Sequence, residues 1–175
     1  MSIPKFIIIC IIKETHGVYL KSDFIYNPSE VGDFCHSASL TEHAGVVYSA
    51  WYGYQEKEYE NGQICYSKYN DKENKWEKGK LAFNHLKNSS CGNPVIFSDK
   101  QTNSLHMFFV ILQRHYWDSA QVFHSEYNLD KAEWNLPEKI SIDPGVMVRH
   151  RPQLNNNGVY FIPAYDEKKI SNYYL

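Results

Sequence analysis

Apolar and polar positions along this chain change over in short runs. Val46-Val-Tyr-Ser-Ala-Trp51, Gln63-Ile-Cys-Tyr66, Leu105-His-Met-Phe-Phe109, Ala120-Gln-Val-Phe123 and Val159-Tyr-Phe-Ile162 are four to six residues long. Each is rich in β-branched or aromatic residues and is followed or preceded by Asn, Gly, Asp or Ser. That is the pattern of strands and turns. No segment keeps a helical period for more than two turns, and no Rossmann or P-loop glycine pattern occurs. The expectation is an all-β chain. Near the start, Phe6-Ile-Ile-Ile-Cys-Ile-Ile12 predicts an Ile-rich strand. It also has the look of a weak signal-like segment, but Lys13 and Glu14 interrupt it and no small-x-small cleavage site follows. Residues 1–20 are therefore set apart from a main domain over 21–175.

The strands repeat. His36-Ser-Ala-Ser-Leu40 with Val46–Trp51, Asn93-Pro-Val-Ile-Phe97 with Leu105–Phe109, and Arg151-Pro-Gln-Leu154 with Val159–Ile162 each make a strand, a polar turn and a second strand. Leu40, Phe97 and Leu154 are equivalent positions, 57 residues apart in each step. A second pattern interleaves: Ser67-Lys-Tyr-Asn70 leads to Trp76 and Ser125-Glu-Tyr-Asn128 to Trp134, with 9 residues from Ser to Trp in both. A unit of four strands at this period is what one blade of a β-propeller looks like. A lone four-stranded sheet leaves both faces bare, and stacking blades about an axis covers them. At about 57 residues per blade, 175 residues make about three blades. Propellers generally close with four to eight. The expectation is an incomplete propeller: a fragment, a truncated product, or a unit completed by a longer chain or by self-association.

Composition narrows the function. Eighteen basic and 20 acidic residues give a net charge of -2. That balance argues against a nucleic-acid scaffold and against a polybasic membrane binder. The N-terminal apolar run is too short to span a bilayer. It leaves the compartment open, with the cytoplasm favoured. Cys10, Cys35, Cys65 and Cys91 show no C-x-x-C spacing, so buried free thiols are expected. His106, His115 and His124 lack ligand spacing with an acidic partner, and no metal site is expected. Aromatic residues make up 15%. They favour strands and also suit a surface on which sugar rings stack.

Longer stretches resemble one family. Cys35-His-Ser-Ala-Ser39 with Ala50-Trp-Tyr-Gly53, then Cys91-Gly-Asn-Pro-Val-Ile-Phe97, then Val148-Arg-His-Arg-Pro152 with Phe161-Ile-Pro-Ala-Tyr-Asp-Glu167, are similar in order to segments of the sialidase-like BNR-repeat (Asp-box) propellers. The Tyr-Asn…Trp turns resemble a worn Asp-box, with Asp71 and Trp76 at the box positions in the first copy and only Trp134 kept in the second. The resemblance covers about residues 20–167 and implies a sialidase-like β-propeller of about three four-stranded blades. It implies hydrolysis of terminal sialic-acid-type sugars on glycoconjugates, with arginines holding the substrate carboxylate, an acid residue protonating the leaving oxygen, and a Tyr paired with Glu as nucleophile. No cofactor is implied. The partner expected is a carbohydrate or glycoconjugate.

Site residues follow position by position. Arg149 matches the family's arginine and is the candidate anion contact. His36 matches a family histidine suited to a substrate hydroxyl or to proton transfer. These two are the catalytic candidates. Trp51 is a candidate stacking platform, and Asn93 a ligand contact or turn cap. Tyr165 and Glu167, two apart in an extended segment, share a face and are binding candidates. Glu56 and Asn61 stand where the family usually has Arg and Asp, and both are placed in the binding site. An amide in place of a carboxylate cannot act as general acid or base. The arginines are only Arg114, Arg149 and Arg151, so a full arginine clamp cannot be assembled here. Arg149 and Arg151 are not expected to serve one site. The alternatives to an exo-sialidase are a non-catalytic carbohydrate-binding propeller and an inactive truncated product.

Overall fold

A computed structural model describes residues 8–14, 17–25, 32–86, 88–114, 116–141 and 143–171. Side chains are described from Phe24 onward. Residues 1–7 of the signal-like segment and residues 172–175 lie outside the described residues, as does His115. The apolar run forms β1 (Ile8–Glu14), which pairs antiparallel with β2 (Gly17–Asp23) as a separate hairpin.

Two blades follow. The first is β3 (Phe34–His43), β4 (Val46–Tyr54) and β5 (Gln63–Asn70), closed on its outer side by two short pieces, β6 (Lys75–Trp76) and β7 (Lys80–Leu81), both against β5. The second repeats it with β8 (Ser90–Asp99), β9 (Ser104–Leu112) and β10 (Ala120–Asn128), and with β11 (Glu133–Trp134) and β12 (Glu138–Lys139) against β10. The third unit is a hairpin: β13 (Val146–Val148) pairs β16 (Ala164–Asp166), and β14 (Gln153–Leu154) pairs β15 (Tyr160–Phe161). Among the described residues it has no third and fourth strands. Among the described residues the chain is all-β apart from two 3-10 turns and a five-residue helix at Glu167–Ser171, with two complete blades and the inner half of another, and they form no closed ring.

The repeated residues hold equivalent joints. Ser67 Oγ donates to the Glu77 carbonyl at 2.7 Å, and Ser125 Oγ to the Asn135 carbonyl at 2.8 Å. Each hydroxyl pins the outer strand of its blade. Asn70 Oδ1 accepts the N–H groups of Lys72 and Glu73, and Asn128 Oδ1 that of Lys131, so the Asn starts the turn through its side chain. The Tyr and Trp of the same signal are cross-strand neighbours, Tyr69 with Trp76 and Tyr127 with Trp134, with ring centroids 5.4 Å and 5.1 Å apart. The β3–β4 turn uses Ala44 and Gly45, both at positive φ (50° and 81°), as a two-residue hairpin requires.

Packing explains the unbroken apolar run in β9. Met107, Phe109 and Ile111 face the first blade, where they meet Tyr48, Tyr52 and Tyr66. Phe108, Val110 and Leu112 face the other way, toward Met147 and Val148 of the third unit. A strand covered on both faces needs no polar alternation. The outer face of the first blade carries its own small cluster of Ile25, Cys35, Trp51 and Cys65.

Candidate active site at the bulged ends of the inner strands

β3, β8 and the β13–β14 strand are the innermost strands of their units, and each breaks register. In β3, Ser37 and Ala38 oppose one residue between the pairs His36–Tyr52 and Ser39–Ala50. In β8, Asn93 and Pro94 do the same between Gly92–Val110 and Val95–Phe108. In the third unit residues 149–152 face only 162–163. Such bulges bend a strand and re-aim its side chains. Ser37 and Asn93 sit at positive φ (52° and 49°), and Ser37 Oγ donates to Asn93 Oδ1 at 3.0 Å across the blade boundary. The bulges therefore touch.

A cavity of about 240 Å³ opens beside them. Asn93, Arg149, Tyr165 and Glu167 line it, so four of the sequence candidates meet. Four further residues complete the wall: Tyr52 from β4, Glu58 from the 55–62 loop, Trp117 from a 3-10 turn, and Met147 from β13. Arg149 is the only cation in that wall. Its guanidinium lies 5.7 Å from the centre of the Tyr165 ring, a cation–π contact. Burial pushes the Tyr165 hydroxyl above its ordinary pKa, opposed by Arg149. Asn93 is buried, and its amide nitrogen has no hydrogen-bond partner of good geometry among the described residues. The amide sits in the cavity wall beside the Tyr165 hydroxyl, whose pKa it helps to hold down.

Glu58 is the organising carboxylate. Its Oε1 accepts the hydroxyl proton of buried Tyr52 and lies 2.8 Å from His36 Nδ1. Burial first, then the hydrogen bond and charge of Glu58, raise the Tyr52 pKa far above the ordinary phenol value. Tyr52 is therefore a neutral donor. His36 stands half-exposed at the rim, edge-on to the Tyr52 and Tyr54 rings. It does not line the cavity but reaches it through Glu58.

The other candidates lie elsewhere. Trp51 is buried with Ile25, Cys35 and Cys65 on the far face of its blade and offers no platform. Glu56 and Asn61 are exposed in the loop and do not line the cavity. Asn61 is at positive φ (56°), a turn position that Asn tolerates. Arg149 and Arg151 share a cavity, against the expectation that they would not serve one site. The bulge brings Arg149, His150 and Arg151 together along a second cavity of about 440 Å³, shared with Ser37, Ser39 and Asn93. There Arg151 donates to the Leu40 carbonyl of the first blade. Glu58 and Tyr52 were not among the candidates read from the sequence. Among the described residues no group of three or more His, Cys, Asp or Glu is arranged for a metal ion. No described helix is long and apolar enough to cross a membrane.

Blades with a polar cavity at the ends of their inner strands define a propeller-type chain. The model of the BNR repeat-like domain matches residues 45–174, and the chain belongs to that family. No curated protein matches it. Three solved structures share its fold. Hadza microbial sialidase Hz136 aligns with a TM-score of 0.66 at 15% identity, over 89% of this chain and 38% of its own. 1,3Gal43A, an exo-β-1,3-galactanase from Clostridium thermocellum, aligns at 0.54 and 12%, over 93% and 36%. An endo-arabinase from Bacteroides thetaiotaomicron VPI-5482 aligns at 0.53 and 14%, over 85% and 57%. The chain thus spans between about a third and somewhat over half of those proteins.

Proposed function

We propose that this chain forms the sugar-holding part of a sialidase-like glycoside hydrolase propeller, taking a terminal, carboxylate-bearing sugar of a glycoconjugate. The observation that carries the reading is the meeting of Arg149, Asn93, Tyr165, Glu58 and Glu167 around one cavity of about 240 Å³. Arg149 pairs with the sugar carboxylate as a fork. Asn93 donates to a ring hydroxyl or acyl oxygen. Glu58 and Glu167 are the two carboxylates available for acid–base work on a glycosidic bond. The fold is shared with three proteins whose names describe action on glycans, which supports the substrate class. A binding-only role is the second reading. It is favoured by Arg149 being the sole cation of the cavity and by Asn61 standing outside it.

The test is release of a fluorescent leaving group from sialosides, galactosides and arabinosides by the full chain, with Glu58→Gln, Glu167→Gln and Arg149→Ala. Sialoside turnover lost in the carboxylate variants supports the hydrolase. Binding without turnover, abolished by Arg149→Ala, selects the binding-only role. Neither binding nor turnover by the folded chain refutes both.

A further inference from the structure

Beside the small cavity lies the larger one, of about 440 Å³, and the proposed hydrolysis gives it no task. It opens across the inner strands of all three units: Ser37–Leu40 of β3, Asn93–Val95 of β8, and Arg149–Arg151 of the third hairpin. Asn93 and Arg149 line both cavities, so the two adjoin. Their volumes favour use as one site. Small-molecule sites usually measure about 300–1,000 Å³. The cavity of about 240 Å³ falls short of that range alone and reaches it with its neighbour.

The larger cavity has basic residues and no acid. Arg149, His150 and Arg151 line one side of it, and none of its ten lining residues is acidic. Arg151 reaches across to the first blade, where Nη2 donates to the Leu40 carbonyl. That bond uses one of the five N–H donors of a guanidinium and fixes the head of an otherwise exposed side chain. An arginine held in place before the ligand arrives loses less freedom on binding it. Ser39 precedes Leu40 in the same wall. Its Oγ accepts the Ile96 N–H at 3.1 Å, which leaves its hydroxyl proton to donate. Ser37 differs, because its proton goes to Asn93 Oδ1. The cavity thus offers guanidinium and hydroxyl donors, and no lining carboxylate neutralises them. That set suits an oxyanion.

We propose that the larger cavity holds the second sugar of the ligand, and that this sugar is itself acidic, setting a carboxylate or a sulfate against Arg151 and Ser39. The inference rests on the sugar reading above and narrows it, from a glycan with one acid group to one with acid groups on two adjoining sugars. Arg149, on the border of the cavities, holds the terminal carboxylate. Arg151 reads the next charge. A neutral second sugar leaves the Arg151 guanidinium without a counter-charge, and an acidic one supplies it. The competing arrangement is a single carboxylate held by both arginines. The two differ in one respect: only in the competing arrangement does Arg151 contribute to binding a ligand with a single charge.

The experiment is calorimetric titration of the full chain at low ionic strength with three disaccharides linked through sulfur, which resist hydrolysis. They are a sialoside of galactose, a sialoside of sulfated galactose, and a sialoside of sialic acid. The expected result is binding about tenfold tighter or more for at least one doubly charged ligand, and the tighter of the two shows which oxyanion the cavity takes. Arg151→Gln removes the charge and keeps an N–H group for the Leu40 carbonyl. It is expected to abolish the gain and to leave affinity for the singly charged sialoside within about twofold. No gain from the second charge overturns the inference and leaves the sugar reading standing. An equal loss for all three ligands in Arg151→Gln does the same, because the arginine then holds the one carboxylate. No binding of any of the three overturns the sugar reading, and this inference with it. If Arg151→Gln does not fold, salt decides on the unmodified chain. A gain that shrinks as sodium chloride rises from about 20 to about 300 mM supports the inference, and a gain independent of salt overturns it.

Discussion

Replacing Glu58 with alanine tests how the cavity is built, because one carboxylate oxygen serves two partners. Tyr52 is only 1% exposed, and Glu58 is the acceptor of its hydroxyl proton. An unmet buried donor costs about 1–3 kcal/mol. The His36 contact adds little, since both side chains are more than a third exposed. The expected loss for Glu58→Ala is about 2 kcal/mol of unfolding free energy, read from urea denaturation at constant slope. Tyr52→Phe alone removes one hydrogen bond and leaves a solvated carboxylate, at about 0.5–1.5 kcal/mol. The diagnostic is the double variant. In the Tyr52→Phe background no orphaned hydroxyl remains, so Glu58→Ala then costs well under 1 kcal/mol, a coupling of about 1–2 kcal/mol. Additive losses, or a Glu58→Ala effect below about 0.5 kcal/mol, refute the picture of a loop pinned over the cavity by this carboxylate.

Three further outcomes are expected. Trp51→Ala opens a hole in the outer core of the first blade and costs about 3–5 kcal/mol, while ligand affinity of the folded protein is unchanged; a selective loss of sugar binding contradicts the placement of Trp51. Gly92→Ala puts a methyl group 2.8 Å from the Trp117 ring, which must swing toward the cavity; about 1–3 kcal/mol of stability and a weaker ligand affinity follow, by denaturation and calorimetry. Burial pushes the Cys35 and Cys91 thiols to about 12 and raises Cys65 as well, so peptide mapping after thiol alkylation at pH 8 finds these three unmodified in the folded chain and modified in urea.

How far the sequence carries the fold depends on the kind of signal each element leaves. The 57-residue period locates the three hairpins, because turn residues and apolar runs recur together. Ser67 and Ser125 recur because each makes the same bond to the outer strand. The outer strands themselves, two residues each, are too short to show a period. The site is less legible. β4 is covered on both faces, so Trp51 and Tyr52 carry no polar contrast that says which one looks into the cavity. Within Gln55–Asn61 there is no periodicity to separate Glu58 from Glu56. The bulges are marked by Ser37 and Asn93 rather than glycine, which hides them. They also undo the alternation that would keep His150 apart from Arg149 and Arg151. The resemblance of Val148–Pro152 and Tyr165–Glu167 to family segments singled out Arg149, Tyr165 and Glu167, which line one cavity, and that of Cys91–Phe97 singled out Asn93 beside them.

The most direct test of the account is calorimetric titration of the full chain with a sialoside and with a neutral galactoside of the same size, repeated with Arg149→Ala. The account predicts binding of the carboxylate-bearing sugar, weaker or absent binding of the neutral one, and loss of the difference when Arg149 is removed. Equal affinity for both sugars, or a sialoside affinity that survives Arg149→Ala, contradicts it.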